Sequence, residues 1–361
     1  MNKKLVFFSL LLAVVFFVGA GCLNVGDNNQ TITSGPAGMY LSIDKGESWT
    51  AISSMPTNQG TKNINNMSVY ALFEDPQDPQ GLYWASREGG LFYTFDSGKS
   101  WQQSGDPLNV STVRSVAINP RDKCTIYATN GRQVFKTIDC VRSWEEVFRE
   151  IRSSDSITYV AFDPFHPENI YISESNGDVL KSIDGGVHWL LLKHFSDYVR
   201  SIDFDTNNEG LVYITTLKKG LFRSKDFGET WTDLSSKLKD YSGALDFKRF
   251  VVYPSQADEI YWISKYGVLT SRNAGEDWES VKLVTPPGSV DIYGFAVSRS
   301  NDQEIYYTGT INSKSSLYRS IDGGKTWETR KLPSKQIPTM LYAHPQNEGW
   351  LYLGFTIPPK N

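Results

Sequence analysis

The sequence predicts an all-β fold, a seven-bladed β-propeller made of four-stranded antiparallel blades. An eight-residue phrase, which at its last occurrence runs from Ser320 to Trp327, recurs every 42–52 residues along the 361-residue chain. A period of roughly 40–50 residues with a fixed signature is typical of propellers, in which each repeat supplies one blade. The third position of the phrase is held in turn by Asp44, Asp96, Asp139, Asp184, Asp226, Asn273 and Asp322.

A second regular feature supports the count of seven. Each repeat contains a short corner, such as Asp75-Pro76, and a tyrosine follows the second corner residue at a fixed distance. These tyrosines are Tyr83, Tyr127, Tyr171, Tyr213, Tyr261, Tyr306 and Tyr352. In the first repeat, apolar segments between turn residues predict strands a, b and c at residues 69–74, 81–85 and 91–94, and Trp101 opens strand d.

The two ends of the repeat array complement each other. The last repeat has strands a and b, at residues 340–342 and 350–355, but lacks strands c and d. An unmatched c–d pair lies upstream of the first full repeat, at residues 38–43 and 49–52. We therefore expect one blade built from two strands of each end, which leaves no free sheet edge at the seam. Residues 38–361 form the predicted propeller.

The N-terminal region has the features of a targeting segment. Two lysines precede an apolar run over residues 5–18, and small residues then lead to Cys22. This segment resembles a bacterial lipobox, which implies a lipoprotein-type signal peptide at residues 1–22 with Cys22 as the lipid attachment point. The alternative is an uncleaved N-terminal membrane anchor. Residues 23–37 are then a flexible tether, and the folded part is exported to the bacterial cell envelope.

The overall charge and the histidine content exclude some classes of function. The formal net charge is −4, and a nucleic-acid-binding domain normally has a basic excess. None of the four histidines has metal-ligand spacing to another. We expect no nucleic-acid partner, no metal and no cofactor, and we expect a monomer.

The residues of the repeated phrase have clear folding roles. A short Asp side chain can accept hydrogen bonds from backbone N–H groups in its own turn. Glycine at the fifth position permits a positive φ, and the terminal Trp packs between sheets. The phrase resembles the Asp-box, or bacterial neuraminidase repeat, from about Gly38 onward. With its corner and strand-b Tyr, it is most similar to sortilin-ectodomain-like and photosystem II assembly-factor-like repeats. Such a resemblance implies a fold and leaves the activity open.

The third copy departs from the pattern and predicts a disulfide. Val141 stands where glycine is expected, so we expect a distorted turn. Cys140 lies beside Val141, and Cys124 begins the second strand of the same repeat. A hairpin that folds near Arg132 places these cysteines opposite each other, within disulfide reach in an antiparallel pair. We predict a Cys124–Cys140 bridge; the alternative is two buried free thiols.

The face opposite the Asp-boxes is predicted to bind the partner, because its b–c turns and d–a connections vary between repeats. Basic and aromatic residues collect there. They are Tyr70, Arg87, Arg114, Arg132, Arg200, Lys218, Lys248, Lys265, Tyr293 and Lys314. Such a face would attract an anionic ligand or an acidic protein surface. The alternative is that these are ordinary turn residues paired with neighbours. In the third repeat the b–c turn is instead acidic, with Glu174 and Asp178.

Catalysis is the second hypothesis. A sialidase-like site needs an arginine triad and an Arg-Ile-Pro motif, and the motif is absent. Xyloglucan hydrolases of this repeat type use two propellers with one carboxylate from each. The candidate carboxylates here are Glu88, Glu174 and Asp178, which solvated turns would equally explain. We therefore expect no catalytic residues and a non-catalytic, envelope-anchored propeller that binds an unknown surface protein. The alternative is a glycan-binding or glycoside-hydrolysing propeller of the sialidase or xyloglucan-hydrolase type.

Overall fold

The computed structural model describes residues 35–358, which form a ring of seven four-stranded antiparallel blades. The chain starts with β1 (Gly38–Ser42) and β2 (Thr50–Ala51), followed by a hairpin of β3 (Ser54–Thr57) and β4 (Gly60–Asn63). Blade 1 consists of β5 (Val69–Glu74), β6 (Leu82–Ser86), β7 (Leu91–Thr94) and β8 (Gln102–Gln103). Blade 2 consists of β9 (Ser115–Asn119), β10 (Asp122–Thr129), β11 (Gln133–Thr137) and β12 (Glu145–Arg149). Blade 3 consists of β13 (Ile157–Phe162), β14 (Ile170–Glu174), β15 (Asp178–Ser182) and β16 (Leu190–His194).

Blades 4 to 7 complete the ring. They consist of β17 (Val199–Phe204), β18 (Val212–Thr216), β19 (Leu221–Ser224) and β20 (Thr232–Asp233); β21 (Phe247–Val252), β22 (Ile260–Ser264), β23 (Val268–Ser271) and β24 (Glu279–Ser280); β25 (Asp291–Ser298), β26 (Asn301–Ile311), β27 (Lys314–Ser320) and β28 (Glu328–Lys331); and β29 (Ile337–Ala343) with β30 (Leu351–Thr356). One helical turn, α1 (Ser235–Leu238), lies between blades 4 and 5. Among the described residues, no helix is long and apolar enough to cross a membrane.

The predicted closure of the ring is confirmed. Blade 7 has the strand order β2-β1-β30-β29, so its outer two strands come from the start of the described chain and its inner two from the end. The β1–β30 register pairs Gly38 with Phe355 and Ser42 with Leu351. Blade 7 is then joined to blade 1, because the Thr339 and Thr356 hydroxyls both donate to the Val69 carbonyl, at 2.9 and 2.8 Å.

Apolar side chains fill the spaces between neighbouring blades. The cluster between blades 1 and 2, for example, contains Tyr83 from β6 and Ile126 from β10. The Asp-box tryptophans anchor these layers. Buried Trp101 donates its indole N–H to the Ile52 carbonyl at 2.7 Å, which ties blade 1 to the end of blade 7. The core is thus distributed around the ring, and the innermost strand of each blade faces a central channel.

The Asp-box turn is stabilised by hydrogen bonds to its carboxylate. Asp322 accepts hydrogen bonds from the Thr326 backbone N–H at 2.8 Å and from the Thr326 hydroxyl at 2.6 Å. The Ser320 hydroxyl donates to the same carboxylate at 2.8 Å and accepts the Gly324 N–H at 2.8 Å. Hydrogen bonds from Thr326 lower the pKa of Asp322 to about 2. The carboxylate is therefore engaged in its own turn.

Val141 occupies the glycine position of the third box without rebuilding the turn, contrary to the expected distortion. It adopts φ 70°, in the left-handed region used by the glycines. Its N–H still donates to the Thr137 hydroxyl, at 3.3 Å. Space for the side chain comes from the preceding blade, where Ser104 stands at the position held by Ile52 in the neighbouring blade. A Cβ added to Gly98 would lie 2.8 Å from Ile52 Cδ1.

The predicted disulfide is confirmed. Cys124 and Cys140 are bonded, with their Cα atoms 4.1 Å apart. The bridge links strand β10 to the Asp-box turn that carries Val141. The predicted signal peptide, Cys22 and most of the tether lie outside the described residues.

Candidate functional site

The central channel contains a cavity of about 510 Å³. Its lining comes from the innermost strand of every blade and runs from the middle of these strands to the a–b corners. Most of the wall is apolar, with Phe73, Phe162, Phe204, Phe250 and Phe295. Apolar walls with a few polar groups are characteristic of ligand sites. This cavity reaches the face that carries the Asp-boxes, which the sequence had suggested to be structural.

Asp203 is the carboxyl group in the interior of this cavity. It lies on β17 between Ile202 and Phe204, and the Ser201 hydroxyl donates to it at 2.5 Å. Burial within the ring raises the pKa of Asp203 to about 6, and the hydrogen bond from Ser201 acts in the opposite direction. Because the side chain is still partly accessible from the cavity, Asp203 can exchange a proton with a bound ligand near neutral pH.

Arg249 and Tyr159 lie deeper in the same cavity. Arg249 starts from blade 5 and donates to the carbonyl groups of Tyr293 in blade 6, at 3.3 Å, and Thr339 in blade 7, at 2.8 Å. Its guanidinium therefore reaches along the channel wall past a whole blade. Burial lowers the pKa of Arg249 and raises the pKa of Tyr159. The two side chains add a cation and a phenol to the polar end of the cavity.

A second carboxyl group lies at the a–b end of the cavity. Glu74, the last residue of β5, forms an ion pair with Arg299 at 2.7 Å. Burial raises the pKa of Glu74, and the positive charge of Arg299 opposes that shift. Arg299 also lies over the ring of Tyr342, 5.9 Å from its centre. The cavity thus contains two carboxyl groups in different electrostatic environments.

The residues predicted to form a basic binding face lie on the other side of the ring, and several make contacts within the chain. Arg87 lies over the Tyr70 ring, at 5.7 Å, and Arg200 over the Tyr198 ring, at 5.5 Å. Arg114 donates to the Ser156 hydroxyl at 3.3 Å and to the Tyr198 hydroxyl at 3.4 Å.

The other residues of this predicted face divide into engaged and exposed side chains. Arg132 donates to three backbone carbonyls of the next d–a connection, and Lys248 lies 3.9 Å from Asp291. The remaining lysines, Lys218, Lys265 and Lys314, are exposed to solvent. The face does not form one cluster of free cations. That these individual residues contact a ligand stays a prediction.

The three candidate carboxylates have different surroundings. Glu88 is exposed and accepts hydrogen bonds from the Ser68 N–H at 3.1 Å and hydroxyl at 2.9 Å. Glu174 and Asp178 meet in blade 3, where Arg152 from the preceding connection contacts both. Glu174 is only 1% exposed, so it is not a solvated turn residue and no substrate can reach it in this conformation. Among the described residues, no group of three or more His, Cys, Asp or Glu side chains is arranged to hold a metal.

Asp203 was not among the predicted site residues, although the sequence contains a signal for it. The residues two positions before the seven a–b corners are Phe73, Ala117, Ala161, Asp203, Val251, Ala296 and Tyr342. Asp203 is the only charged residue in this set. Counting residues from the a–b corners, which identifies the strand-b tyrosines, therefore also identifies Asp203 as the carboxylate at this level of the channel.

These features define the chain as an Asp-box-repeat β-propeller. Models described as BNR-Asp box repeat and BNR/Asp-box repeat match residues 221–234 and 318–329. A xyloglucanase of Paenibacillus sp is 24% identical over 353 residues, which cover 89% of this chain and 32% of the relative. The chain thus spans about a third of the length of that curated relative.

Two further relatives are informative. The photosystem II assembly protein Ycf48 of Thermosynechococcus vestitus is 22% identical over 169 residues, covering 46% of this chain and 44% of that protein. The crystal structure of a GH74 xyloglucanase from Xanthomonas campestris superposes with a TM-score of 0.61 at 17% identity, over 80% of this chain and 51% of that one. This structural likeness shows the fold alone. The predicted resemblance to Asp-box and assembly-factor repeats is confirmed.

The expected function is corrected by these comparisons. The expectation of a non-catalytic propeller that binds a protein partner through its b–c and d–a loops is wrong. The xyloglucanase relative aligns over 89% of this chain, whereas the assembly protein aligns over 46%. The physical reason for the error lies in the choice of face: Asp203 and Glu74, partly accessible carboxyl groups whose pKa values are raised by burial, lie in the channel.

Proposed function

We propose that this chain is a glycoside hydrolase that acts on a β-linked glycan of the xyloglucan type, with Asp203 as the proton donor. One observation carries the assignment of the site: an accessible carboxyl group whose pKa is raised to about 6 stands inside the channel cavity. A general acid for glycosidic cleavage needs a carboxyl group that is protonated close to the working pH. The xyloglucanase relatives support the class of substrate.

The other polar groups of the cavity have matching roles. Glu74 is the second carboxyl group. Burial raises its pKa, and the ion pair with Arg299 opposes that shift and so supports the ionised form that a base or nucleophile requires. Arg249 and Tyr159 offer hydrogen-bonding groups for sugar hydroxyls. Phe73 and Phe204, the half-buried phenylalanines of the wall, provide apolar surface against which the faces of pyranose rings pack. The chain's own residues thus supply an acid, a second carboxylate and a binding surface.

The test is hydrolysis of xyloglucan and its oligosaccharides, measured by release of reducing ends. Asp203→Asn should lower kcat by 10²-fold or more, because the proton donor is lost, and the pH profile of the wild type should fall as the pH rises through about 6. Glu88→Gln is the matched control, since Glu88 lies outside the cavity and should leave kcat unchanged.

Two results would refute the assignment. Wild-type protein without activity on xyloglucan or other β-glucans removes the proposed function. Activity that is equal in the wild type and in Asp203→Asn removes Asp203 as the acid but leaves the substrate class in place. Glu74→Gln then identifies whether the second carboxyl group is needed.

A further inference from the structure

The connection between blades 2 and 3, residues 150–156, is fastened to blade 3 by one arginine. Arg152 Nη2 contacts Glu150 Oε2 at 2.9 Å and also contacts the carboxylate of Glu174. Arg152 Nη1 donates to Asp178 at 3.1 Å. Glu150 and Glu174 are only 3% and 1% exposed. Two carboxyl groups are therefore buried side by side under a single guanidinium.

The other charged groups around this cluster come from the same connection, from β16 and from the b–c turn of blade 2. Asp155, on the same connection, lies 3.1 Å from Arg152 Nε. His194, on β16, contacts the far oxygen of Asp178 at 2.7 Å. Arg132, from the b–c turn of blade 2, binds the carbonyl groups of residues 150, 152 and 155 and so holds the backbone of the connection. The carboxyl groups outnumber the cations that face them.

Glu174 is the group whose charge the cluster does not accommodate. Its Oε1 is buried and has no hydrogen-bond partner within residues 35–358. When this carboxyl group carries a proton, it can donate to Glu150 and adds no charge. When it is ionised, two carboxylates repel each other in a region shielded from water.

We propose that residues 150–156 are a pH-dependent latch, closed while Glu174 is protonated and released when Glu174 is ionised. Glu174 is held on β14, in the middle of a blade, whereas Glu150 and Arg152 belong to the connection. The connection is the part that moves, and its release lets water reach both carboxylates. This latch does not depend on the function proposed for the channel.

The pKa values give the direction of the effect. Burial raises the pKa of Glu174 to about 8, while hydrogen bonds from Arg152 lower the pKa of Glu150 to about 2. In a released connection Glu174 would titrate near its ordinary value of 4.5. The closed form therefore loses stability as the pH rises from 4.5 to about 8, by up to about tenfold in the equilibrium per pH unit, and no further loss occurs above that window.

Release of the latch would also affect Arg114, on the face opposite the Asp-boxes. Ser156, at the end of the connection, accepts a hydrogen bond from Arg114, whose other partner is Tyr198 on the approach to blade 4. Movement of Ser156 removes one of these two anchors. The orientation of Arg114 thus becomes linked to the protonation of Glu174.

Hydrogen–deuterium exchange of the full protein tests the latch. After correction for the intrinsic pH dependence of exchange, amides 150–156 should exchange at least tenfold faster at pH 8 than at pH 5.5. Glu174→Gln mimics the protonated group and should keep the segment protected at both pH values. Glu88→Gln, which alters the equivalent turn of blade 1, is the matched control and should behave as the wild type.

Either of two results would overturn the proposal: pH-independent exchange of this segment in the wild type, or equal exchange of Glu174→Gln and wild type at pH 8. If Glu174→Gln is unfolded, the same exchange experiment on Glu150→Gln tests the latch. It removes the like charge beside Glu174 and should reduce the pH dependence several-fold; an undiminished pH dependence would also contradict the latch.

Discussion

Val141 takes a left-handed backbone conformation that glycine holds in the other six Asp-boxes. A β-branched residue at positive φ costs about 1–2 kcal/mol in local strain. The burial of its side chain offsets this cost, since Val141 is 2% exposed in the cluster between blades 1 and 2. Ser104 makes that burial possible because it is smaller than Ile52, its counterpart beside Gly98. The two exceptions to the repeat pattern therefore compensate for each other.

This compensation predicts a coupling between the two positions. Ser104→Ile should destabilise the wild type by about 1–3 kcal/mol, because its volume competes with Val141. The same change should cost less in a Val141→Gly background, with a coupling energy of about 1–2 kcal/mol. Urea unfolding of the single and double variants measures it, with Ser104→Ala as the control that adds no volume. If the two changes in the free energy of unfolding simply add in the double variant, the proposed compensation between Ser104 and Val141 is contradicted.

Single residues of the site were harder to predict than the repeat itself. Asp203 interrupts an otherwise uncharged set of equivalent positions, and this can be read from the sequence. The predicted binding residues included Arg200, three positions earlier on the same strand, and not Asp203. The path of Arg249 to Thr339 depends on the closed ring and has no local sequence signal. Arg152 likewise has no local sequence signal, because it contacts the acidic turn of blade 3 from the connection between blades 2 and 3.

At the scale of elements, the strands that carry the repeat were predicted closely. The prediction for residues 69–74 and 91–94 coincides with β5 and β7, and strand b is displaced by one residue. The β3–β4 hairpin and α1 were not predicted. Both lie in d–a connections, where each blade differs and no periodic pattern supports an assignment.

The disulfide is the element-level feature with the largest expected effect on stability. Replacement of both Cys124 and Cys140 by serine should lower the free energy of unfolding by about 3 kcal/mol, because a loop of this length is no longer restrained in the unfolded chain. Urea unfolding measures the loss, and reduced wild type should match the variant. Labelling of both thiols in native protein without reductant would contradict the bridge.

At the scale of the whole molecule, we expect the Asp-boxes to make the ring sensitive to acid. Hydrogen bonds within their turns lower the pKa values of Asp44, Asp139, Asp226 and Asp322 to about 2. A carboxylate with a lowered pKa contributes stability that is fully present above its ordinary pKa near 3.8 and is lost as the pH falls toward 2.

We therefore expect the melting temperature to fall steeply between pH 4 and pH 2. Calorimetry across this range measures the fall. Asp322→Asn resembles the natural Asn273 box, whose amide oxygen accepts the Asp277 N–H at 3.0 Å, and it should make the fall slightly shallower. A melting temperature that stays constant over this range would show that the turns do not depend on ionised carboxylates.

The pairing of β1 with β30 also determines when the ring can close during synthesis of the chain. Gly38 can meet Phe355 only after more than 300 further residues have been made, which at about 5–20 residues per second takes on the order of tens of seconds. Throughout that interval β1 and β2 have no β30 to join, while the intervening blades are already available to form. The edge of β1 that pairs with β30 is therefore exposed for longest in the nascent chain. This edge is where a chaperone would be needed.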